Sequence, residues 1–268
     1  MKLLKSLAAS LCAAFSAFSI IPMPRTEWNR QSLRFMLCFF PLVGLVQALA
    51  LYVVLRVCVA LQLNYMFTAV LATLVPVVIS GGIHLDGFAD TTDAIASHGT
   101  KSHKLCVLHD SHIGTFAVIA LIAYFLLYAG MWTELWEKIF LSSGKNAVAF
   151  RISLLCGTAY VFERALSAFA VVAFPKAGMS GLAVTFARHC SIRAAGIACA
   201  VALVSLLALG FCFYQPAQTA CVLIMQLLLF AFYYGFSQKY FGGVTGDLAG
   251  WYVQVAEIAA LSVPAIVL

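Results

Sequence analysis

The sequence predicts an all-α fold: a polytopic integral membrane helix bundle of about seven to eight transmembrane or interfacial helices. Of its 268 residues, 63% are hydrophobic and only 10% are charged, and the mean hydropathy is +1.00. Soluble globular chains carry roughly a quarter charged residues. Uncharged runs are long, with twenty-one residues in Phe35–Leu55 and forty-five in Ala194–Gln238. Because every backbone amide must be satisfied internally within a bilayer, such runs form helices.

Each predicted helix is an apolar run bounded by charged or turn-forming residues. Residues 1–24 imitate a signal peptide but lack a clear cleavage site. We therefore expect Leu3–Ile21 to be a retained helix that spans the membrane or lies at its interface. Glu134–Arg151 is expected to be a mixed-charge loop. We find no internal repeat or linker, so residues 1–268 form a single membrane-embedded domain. The other predicted helices are Phe35–Leu55, Tyr65–Ile83, Ile113–Trp132, Ile152–Phe174, Ala194–Tyr214, Ala217–Phe236 and Leu248–Leu268.

The net charge and the cysteine content indicate which partners and which cysteine sites to expect. The net charge of +6 suggests attraction to anionic lipid or to phosphorylated substrates. The basic residues are scattered through loops rather than clustered, which argues against a nucleic-acid partner. The nine cysteines show no CxxC pairing, and several fall inside apolar runs. They are therefore expected to be reduced core residues rather than disulfides or a zinc site.

One polar segment, residues 84–112, contains four of the five aspartates and five of the six histidines. In a helix, Asp86, Asp90 and Asp93 stand at i, i+4 and i+7, which places them on one stripe. Like charges at this spacing repel, and a divalent cation would remove that cost. Oxygen-only ligation favours magnesium or manganese, although histidines in the segment leave zinc open. The alternative is a solvated helix start whose acids are favoured by the helix dipole.

The predicted topology brings a second acidic segment to the same membrane face. Four spans separate residues 84–112 from the turn Gly242–Asp247, and an even number of spans returns the chain to its starting face. We therefore expect Asp247 to share a site with the three aspartates. Counted by loop, that face has nine Lys and Arg against four on the opposite face. The positive-inside rule then predicts a cytoplasmic site.

Aspartate arrays at membrane surfaces are typical of enzymes that displace a nucleotide or pyrophosphate. The phosphate under attack is anionic, and charge builds on the bridging oxygen as its bond breaks. Metal ions held by carboxylates neutralise this charge and align the attacking and leaving groups. A free carboxylate or histidine can accept the proton of an incoming hydroxyl.

Residues 81–93 read Gly-Gly-Ile-His-Leu-Asp-Gly-Phe-Ala-Asp-Thr-Thr-Asp. This segment resembles the signature of the adenosylcobinamide-GDP ribazoletransferase (cobalamin synthase) family. Similarity to the family extends from about residue 18 to 261, nearly the whole chain. Four further segments match in the same order, namely Ile21–Pro24, Phe40–Gly44, Asp110–Phe116, and Gly242–Asp247 followed by Glu257.

The resemblance implies a magnesium-dependent transferase of the cell inner membrane. A ribose hydroxyl of α-ribazole, or of its 5′-phosphate, attacks the cobinamide-side phosphate of adenosylcobinamide-GDP, and GMP leaves. The bilayer and these small molecules are the implied partners, and a further expectation is a homo-oligomer or an association with other cobalamin-pathway enzymes. The roles of the aspartates are assigned from their spacing, and the roles of the other residues are those that the resemblance implies. The expected catalytic residues are Asp86, Asp90, Asp110 and His84, the metal ligands are Asp86, Asp90, Asp93 and Asp247, and the substrate contacts are Arg164, Lys176, Ser111, Thr115 and Gly246.

Arg164 has an open alternative, and His112 departs from the family pattern. Arg164 follows Glu163 inside an apolar run, so it is either a clamp for the GDP phosphates or one partner of a buried ion pair. His112 stands where relatives often have arginine. Histidine is mostly neutral near pH 7, which puts a phosphate contact at that position in doubt.

Two rival functions follow from the same features. The first is another magnesium-dependent membrane transferase, such as one acting on CDP-activated alcohols, whose motif would need an Ala-Arg pair after the Asp-Gly. Here Gly87 is followed by Phe88-Ala89-Asp90. The second is a cation-coupled transporter, which usually places ionisable residues in mid-helix and often shows two related halves.

Overall fold

The computed structural model describes residues 2–213 and 216–267, and within them regular structure is helical apart from one isolated bridge between Lys176 and Val244. The predicted helix ends at Tyr214 and Leu268 lie outside the described residues. Twelve helices occupy the described part of the chain. They are α1 Lys2–Phe18, α2 Arg30–Leu33, α3 Met36–Ala60, α4 Tyr65–Ser80, α5 Ile83–Ala96, α6 Lys101–Val107, α7 Thr115–Leu141, α8 Lys145–Ala173, α9 Leu182–His189, α10 Ile192–Phe213, α11 Pro216–Phe241 and α12 Gly246–Val267.

Six of these helices are long and apolar enough to cross a membrane: α3, α7, α8, α10, α11 and α12. The pair α4 and α5 would make a seventh span if its two arms are counted together. Helix α1 is apolar but shorter, with seventeen residues. The predicted all-α membrane bundle is therefore confirmed.

The expected loop between Glu134 and Arg151 is wrong. Helix α7 continues to Leu141 and α8 begins at Lys145, so only three residues separate them. Charged residues with long side chains have good helix propensity, and their apolar stems can lie along neighbouring surface. Lys138 shows this, because its Nζ donates a 2.7 Å hydrogen bond to the carbonyl oxygen of Ala265 at the end of α12.

The polar segment 84–112 is also more ordered than a loop. Helix α5 contains the three aspartates and α6 follows it, so the predicted helical stripe is confirmed. Helix α9 was not predicted and lies in the stretch between α8 and α10. Lys101 at the start of α6 donates from Nζ to the carbonyl oxygen of Gln238 near the end of α11. This contact places the polar segment at the same end of the bundle as the turn before α12.

Helix α8 lies at the centre of the bundle and packs against α3, α10 and α12. Its apolar stretch is 83% buried, far more than the apolar stretches of the peripheral spans α7, α10 and α11. At the polar end, α4 and α5 meet at an angle of 94°. Gly81 and Gly82 make this turn with φ of 66° and 79°, a left-handed conformation that glycine adopts without a steric cost. The turn lays α5 against α12 and α7.

Candidate active site

The site is built around the contact between α5 and α12. A Cβ at Gly87 would come within 2.6 Å of the carbonyl oxygen of Asp247. A Cβ at Gly250 would come within 3.2 Å of the His84 Cα. Each helix therefore contributes a glycine at which the other helix packs closely. This contact brings Asp247 to the helix that contains Asp86 and Asp90, as the topology predicted.

The four carboxylates form a region of concentrated negative charge. The charges of Asp86, Asp247 and Asp93 all act on Asp90. Asp86 is exposed, whereas Asp90, Asp93 and Asp247 are half-buried. Repulsion among partly buried like charges is costly unless a counter-ion is present. The arrangement therefore favours a bound cation.

Carboxylate oxygens are the donors that hard divalent cations prefer. Among the described residues, however, no three side chains of His, Cys, Asp or Glu are already gathered closely enough to form a complete metal site. The donor chemistry fits magnesium. The ligand set remains a prediction.

Asp93 has a second role that the sequence did not reveal. Its Oδ2 accepts a 2.6 Å hydrogen bond from the backbone N–H of Gly114, and its Oδ1 accepts one of 2.8 Å from Ala117. Gly114 and Ala117 belong to the start of α7, so Asp93 caps this helix from α5. Both carboxylate oxygens are therefore engaged, and the metal role predicted for Asp93 has to compete with this cap.

The expected catalytic role of Asp110 finds no support in its contacts. Asp110 is exposed in the loop before α7, and its Oδ1 accepts from the His112 backbone N–H at 3.0 Å and from the ring Nδ1 at 2.7 Å. These hydrogen bonds hold the pKa of Asp110 below its usual value, which makes it a weaker proton acceptor. Ser111 and Thr115 are exposed on the same loop and at the first residue of α7.

His109 lies in that loop and is a functional candidate to which the sequence gave little weight. Burial raises the pKa of Asp247, and a positive charge on the His109 ring would oppose that rise, so His109 lies near this acidic residue. Its Nδ1 is 2.6 Å from the carbonyl oxygen of Leu105, so Nδ1 must donate. In the neutral ring Nε2 then has a free lone pair. The sequence contains no signal for this tautomer, because it depends on how the chain turns after α6.

Arg164 is fully buried in a polar network. Its Nη1 donates to Glu163 Oε1 at 2.7 Å, and its Nη2 donates to Glu257 Oε1 at 2.6 Å. Tyr124 and Gln226 extend the network to α7 and α11. With 0% side-chain exposure, Arg164 cannot contact a phosphate in this structure. Its contacts are those of the buried ion pair, which was the alternative to the clamp.

Lys176 belongs to a loop that covers the turn before α12. Val244 donates from its backbone N–H to Pro175 at 2.8 Å and accepts from Ala177 at 3.3 Å. The Nζ of Lys176 donates to the carbonyl oxygen of Phe174, and burial lowers the pKa of this half-buried amine. The loop after α8 and the turn before α12 therefore form one unit beside Asp247.

A cavity of about 240 Å³ opens beside the acidic residues. Asp86, Gly246 and Asp247 line one part of it, which is where the structure places the predicted substrate residue Gly246. His84 also lines the cavity; it is 5% exposed, and its Nε2 has no hydrogen-bond partner among the described residues. The rest of the wall is mainly apolar and includes Phe18, Leu37, Phe40, Val171, Leu182 and Phe186.

Comparison with known proteins identifies the family. The pattern of the family described as cobalamin-5-phosphate synthase matches residues 10–265. A Lachnoclostridium phytofermentans protein named adenosylcobinamide-GDP ribazoletransferase is 37% identical over 94% of this chain and 91% of its own length. Proteins of the same name from Clostridium perfringens (strain 13) and Rhizobium etli are 32% and 28% identical over 92% and 96% of this chain, covering 93% and 96% of their own lengths. No solved structure matches. The chain belongs to the cobalamin-5-phosphate synthase family.

Proposed function

We propose that this chain is an adenosylcobinamide-GDP ribazoletransferase. It transfers the adenosylcobinamide phosphate of adenosylcobinamide-GDP to α-ribazole or α-ribazole 5′-phosphate and releases GMP. The family match and the names of the relatives support this reaction. They give no support to a CDP-alcohol transferase or to a transporter.

One structural observation carries the proposal. Asp247, separated from α5 by four spanning helices, packs through its backbone against Gly87 between Asp86 and Asp90. A cavity lined by Asp86 and Asp247 opens at the same place. Carboxylates and a ligand-sized opening therefore coincide at one end of the bundle.

Asp86, Asp90 and Asp247 are the residues that would hold Mg²⁺, because the oxygens of Asp93 already cap α7. When bound, the ion neutralises charge on the diphosphate, including the charge that develops on the bridging oxygen. Without a cation, the same carboxylates would repel the anionic substrate. A cation held by these acidic residues would therefore allow them to bind the diphosphate and would favour the departure of GMP.

The bond changes are those of a phosphoryl-type transfer. The oxygen of the ribose hydroxyl forms a bond to the cobinamide-side phosphorus. The bond between that phosphorus and the bridging oxygen breaks, and the electron pair leaves with GMP. The hydroxyl proton must pass to a base, and we assign this step to Nε2 of His109, whose Nδ1 already donates to Leu105.

The surrounding loops supply the positive charge. Lys176 lies on the loop that pairs with the turn before α12, and we retain it as the residue that attracts the anionic substrate. Ser111 and Thr115 are exposed at the same end of the bundle and remain proposed substrate contacts. We propose that this end faces the cytoplasm, as the positive-inside rule supports, and that the chain lies in the cell inner membrane, as the family resemblance implies. Assembly into a homo-oligomer or with other pathway enzymes remains a prediction.

The direct test mixes purified full-length protein with Mg²⁺, adenosylcobinamide-GDP and α-ribazole 5′-phosphate and measures GMP by chromatography. We expect GMP to appear in equal amount with the cobalamin product, and to disappear when EDTA replaces Mg²⁺. An Asp90→Asn variant that folds normally is the matched control and should release almost no GMP. Correctly folded wild-type protein that releases no GMP would overturn the proposal.

A further inference from the structure

The cavity beside the acidic residues has a mainly aromatic and aliphatic wall. The rings of Phe18 and Phe40 have centroids 4.3 Å apart, and Phe186 meets Phe18 edge-on at 6.2 Å. The imidazole of His84 lies nearly parallel to the Phe18 ring, at 26° and 6.4 Å. Planar rings thus approach the cavity from α1, α3, α5 and α9. Such a wall favours a flat apolar ligand.

We propose that this cavity binds the base of the attacking nucleoside, an alkylated benzimidazole or a similar apolar bicyclic heteroaromatic ring. The inference rests on the proposed function, because it divides the substrates of that reaction between regions of one site. It assigns the cavity to the nucleophile. The corrinoid and the guanosine of the other substrate would then lie outside it, towards the exposed loops.

Size excludes the corrinoid. The cavity of about 240 Å³ is smaller than the roughly 300–1,000 Å³ typical of ligand pockets. A corrin macrocycle with its amide side chains is far larger than a bicyclic base. Only a base or a group of similar size can enter.

Polarity argues against guanine. Its edge presents several donors and acceptors, and each one buried without a partner costs about 1–3 kcal/mol. Apart from the two carboxylates, His84 and Ser167 are the polar side chains among the residues that line the cavity. The Oγ of Ser167 already donates to the carbonyl oxygen of Ala249 at 3.3 Å. A benzimidazole nucleoside needs only one partner, for its single free ring nitrogen, and His84 has an unpartnered Nε2.

The location of the carboxylates fits the same assignment. Asp86 and Asp247 line the cavity together with the aromatic residues. A sugar attached to a base held among the rings would therefore lie beside the residues proposed to hold the metal. This arrangement delivers a ribose hydroxyl to the diphosphate without a large movement of the protein.

The test measures equilibrium binding of radiolabelled α-ribazole to the full-length protein in nanodiscs, with EDTA present so that no turnover occurs. We expect saturable binding that excess guanosine does not displace. Leu182→Asp places a carboxylate on the cavity wall at a side chain that is 56% exposed, so the fold should tolerate it. We expect this variant to weaken binding about tenfold or more. Met179→Asp is the matched control and should bind normally, because Met179 lies in the loop just before α9, is 89% exposed and does not line the cavity.

A second variant tests the aromatic character of the wall. Phe186→Leu keeps the apolar bulk but removes a ring, and we expect about threefold to tenfold weaker binding. In the GMP-release assay, both cavity variants should raise KM for the ribazole substrate more than KM for adenosylcobinamide-GDP.

The outcomes separate this inference from the proposed function. Saturable α-ribazole binding without any GMP release would support the assignment of the cavity and overturn the proposed reaction. Three results, each obtained with normal GMP release, would overturn the assignment of the cavity and leave the reaction intact. They are displacement of bound α-ribazole by guanosine, unchanged α-ribazole binding in Leu182→Asp, and a KM change confined to adenosylcobinamide-GDP.

Discussion

Gly87 on α5 lies against the backbone of Asp247 on α12, so close that a Cβ at Gly87 would come within 2.6 Å of the Asp247 carbonyl oxygen. This contact joins two residues that are 160 positions apart in the sequence. The candidate site depends on it. Substitutions at Gly87 or Asp247 should therefore reduce activity more than they disturb the packing of distant helices.

Gly87→Ala should push α5 away from α12, because backbone atoms block the added methyl group and cannot rotate aside. We expect a loss of about 1–3 kcal/mol in stability, as for overpacking, together with most of the GMP-release activity. Gly130→Ala is the control, since that helical glycine of α7 has open space around its Cβ position. Equal thermal stability and activity for the two variants would show that the close helix contact is not required.

Asp247→Asn should remove one proposed metal ligand while keeping the size of the side chain. We expect GMP release to fall by about a hundredfold or more, with the fold retained, and the Mg²⁺ concentration for half-maximal activity to rise. Glu137→Gln, an exposed acid near the opposite end of α7, should leave both quantities unchanged. If Asp247→Asn kept normal magnesium dependence, Asp247 would not be a ligand.

Asp93→Asn distinguishes a helix cap from a metal ligand. An amide retains only one acceptor oxygen, so one of the N–H groups of Gly114 and Ala117 loses its partner. We expect a stability loss of about 1 kcal/mol, measured by thermal unfolding, with nearly normal magnesium dependence. The reverse result, unchanged stability with a large rise in the Mg²⁺ requirement, would assign Asp93 to the metal.

His109→Gln should lower kcat by about a hundredfold without a matching rise in KM, because a glutamine cannot accept the hydroxyl proton. His189→Gln provides the control, since His189 is exposed and makes the same type of bond from Nδ1 to a carbonyl oxygen four residues earlier, in Thr185. A normal kcat for His109→Gln would remove this residue as the base.

Arg164→Met should destabilise the bundle rather than weaken substrate binding. The substitution leaves Glu163 and Glu257 buried without their cation, which costs about 3–5 kcal/mol. We expect low yield and a large fall in unfolding temperature, with partial recovery in Arg164→Lys. Arg151→Met, an exposed position on the same helix, is the control. A stable Arg164→Met protein with a raised KM for adenosylcobinamide-GDP would instead support the clamp.

Much of the bundle was predictable because membrane helices follow from local properties of the chain. The uncharged runs predicted the spans, and counting spans predicted that Asp247 returns to α5. The prediction of a loop between Glu134 and Arg151 was wrong because we expected charged residues to end a helix. Lys138 instead stays within α7 and donates a hydrogen bond to the carbonyl oxygen of Ala265.

The finer features of the site depend on tertiary contacts that leave no local pattern. The cap that Asp93 gives to α7 joins residues more than twenty positions apart. The cavity draws Phe18, Phe40 and Phe186 from three separate helices or their ends. The sequence could offer two possibilities for Arg164, and only the packing of α12 against α8 shows the carboxylate of Glu257 at the guanidinium.

The turn made by Gly81 and Gly82 also constrains how this chain can change in length. Each residue of an α-helix advances the side chains by about 100° around its axis. A single insertion or deletion between that turn and Asp86 would rotate the carboxylates away from α12. At the other end of the bundle, the short connection at 142–144 only joins two helices and could be lengthened freely. Natural variation in length should therefore gather at that remote connection and be missing from the segment that follows the two glycines.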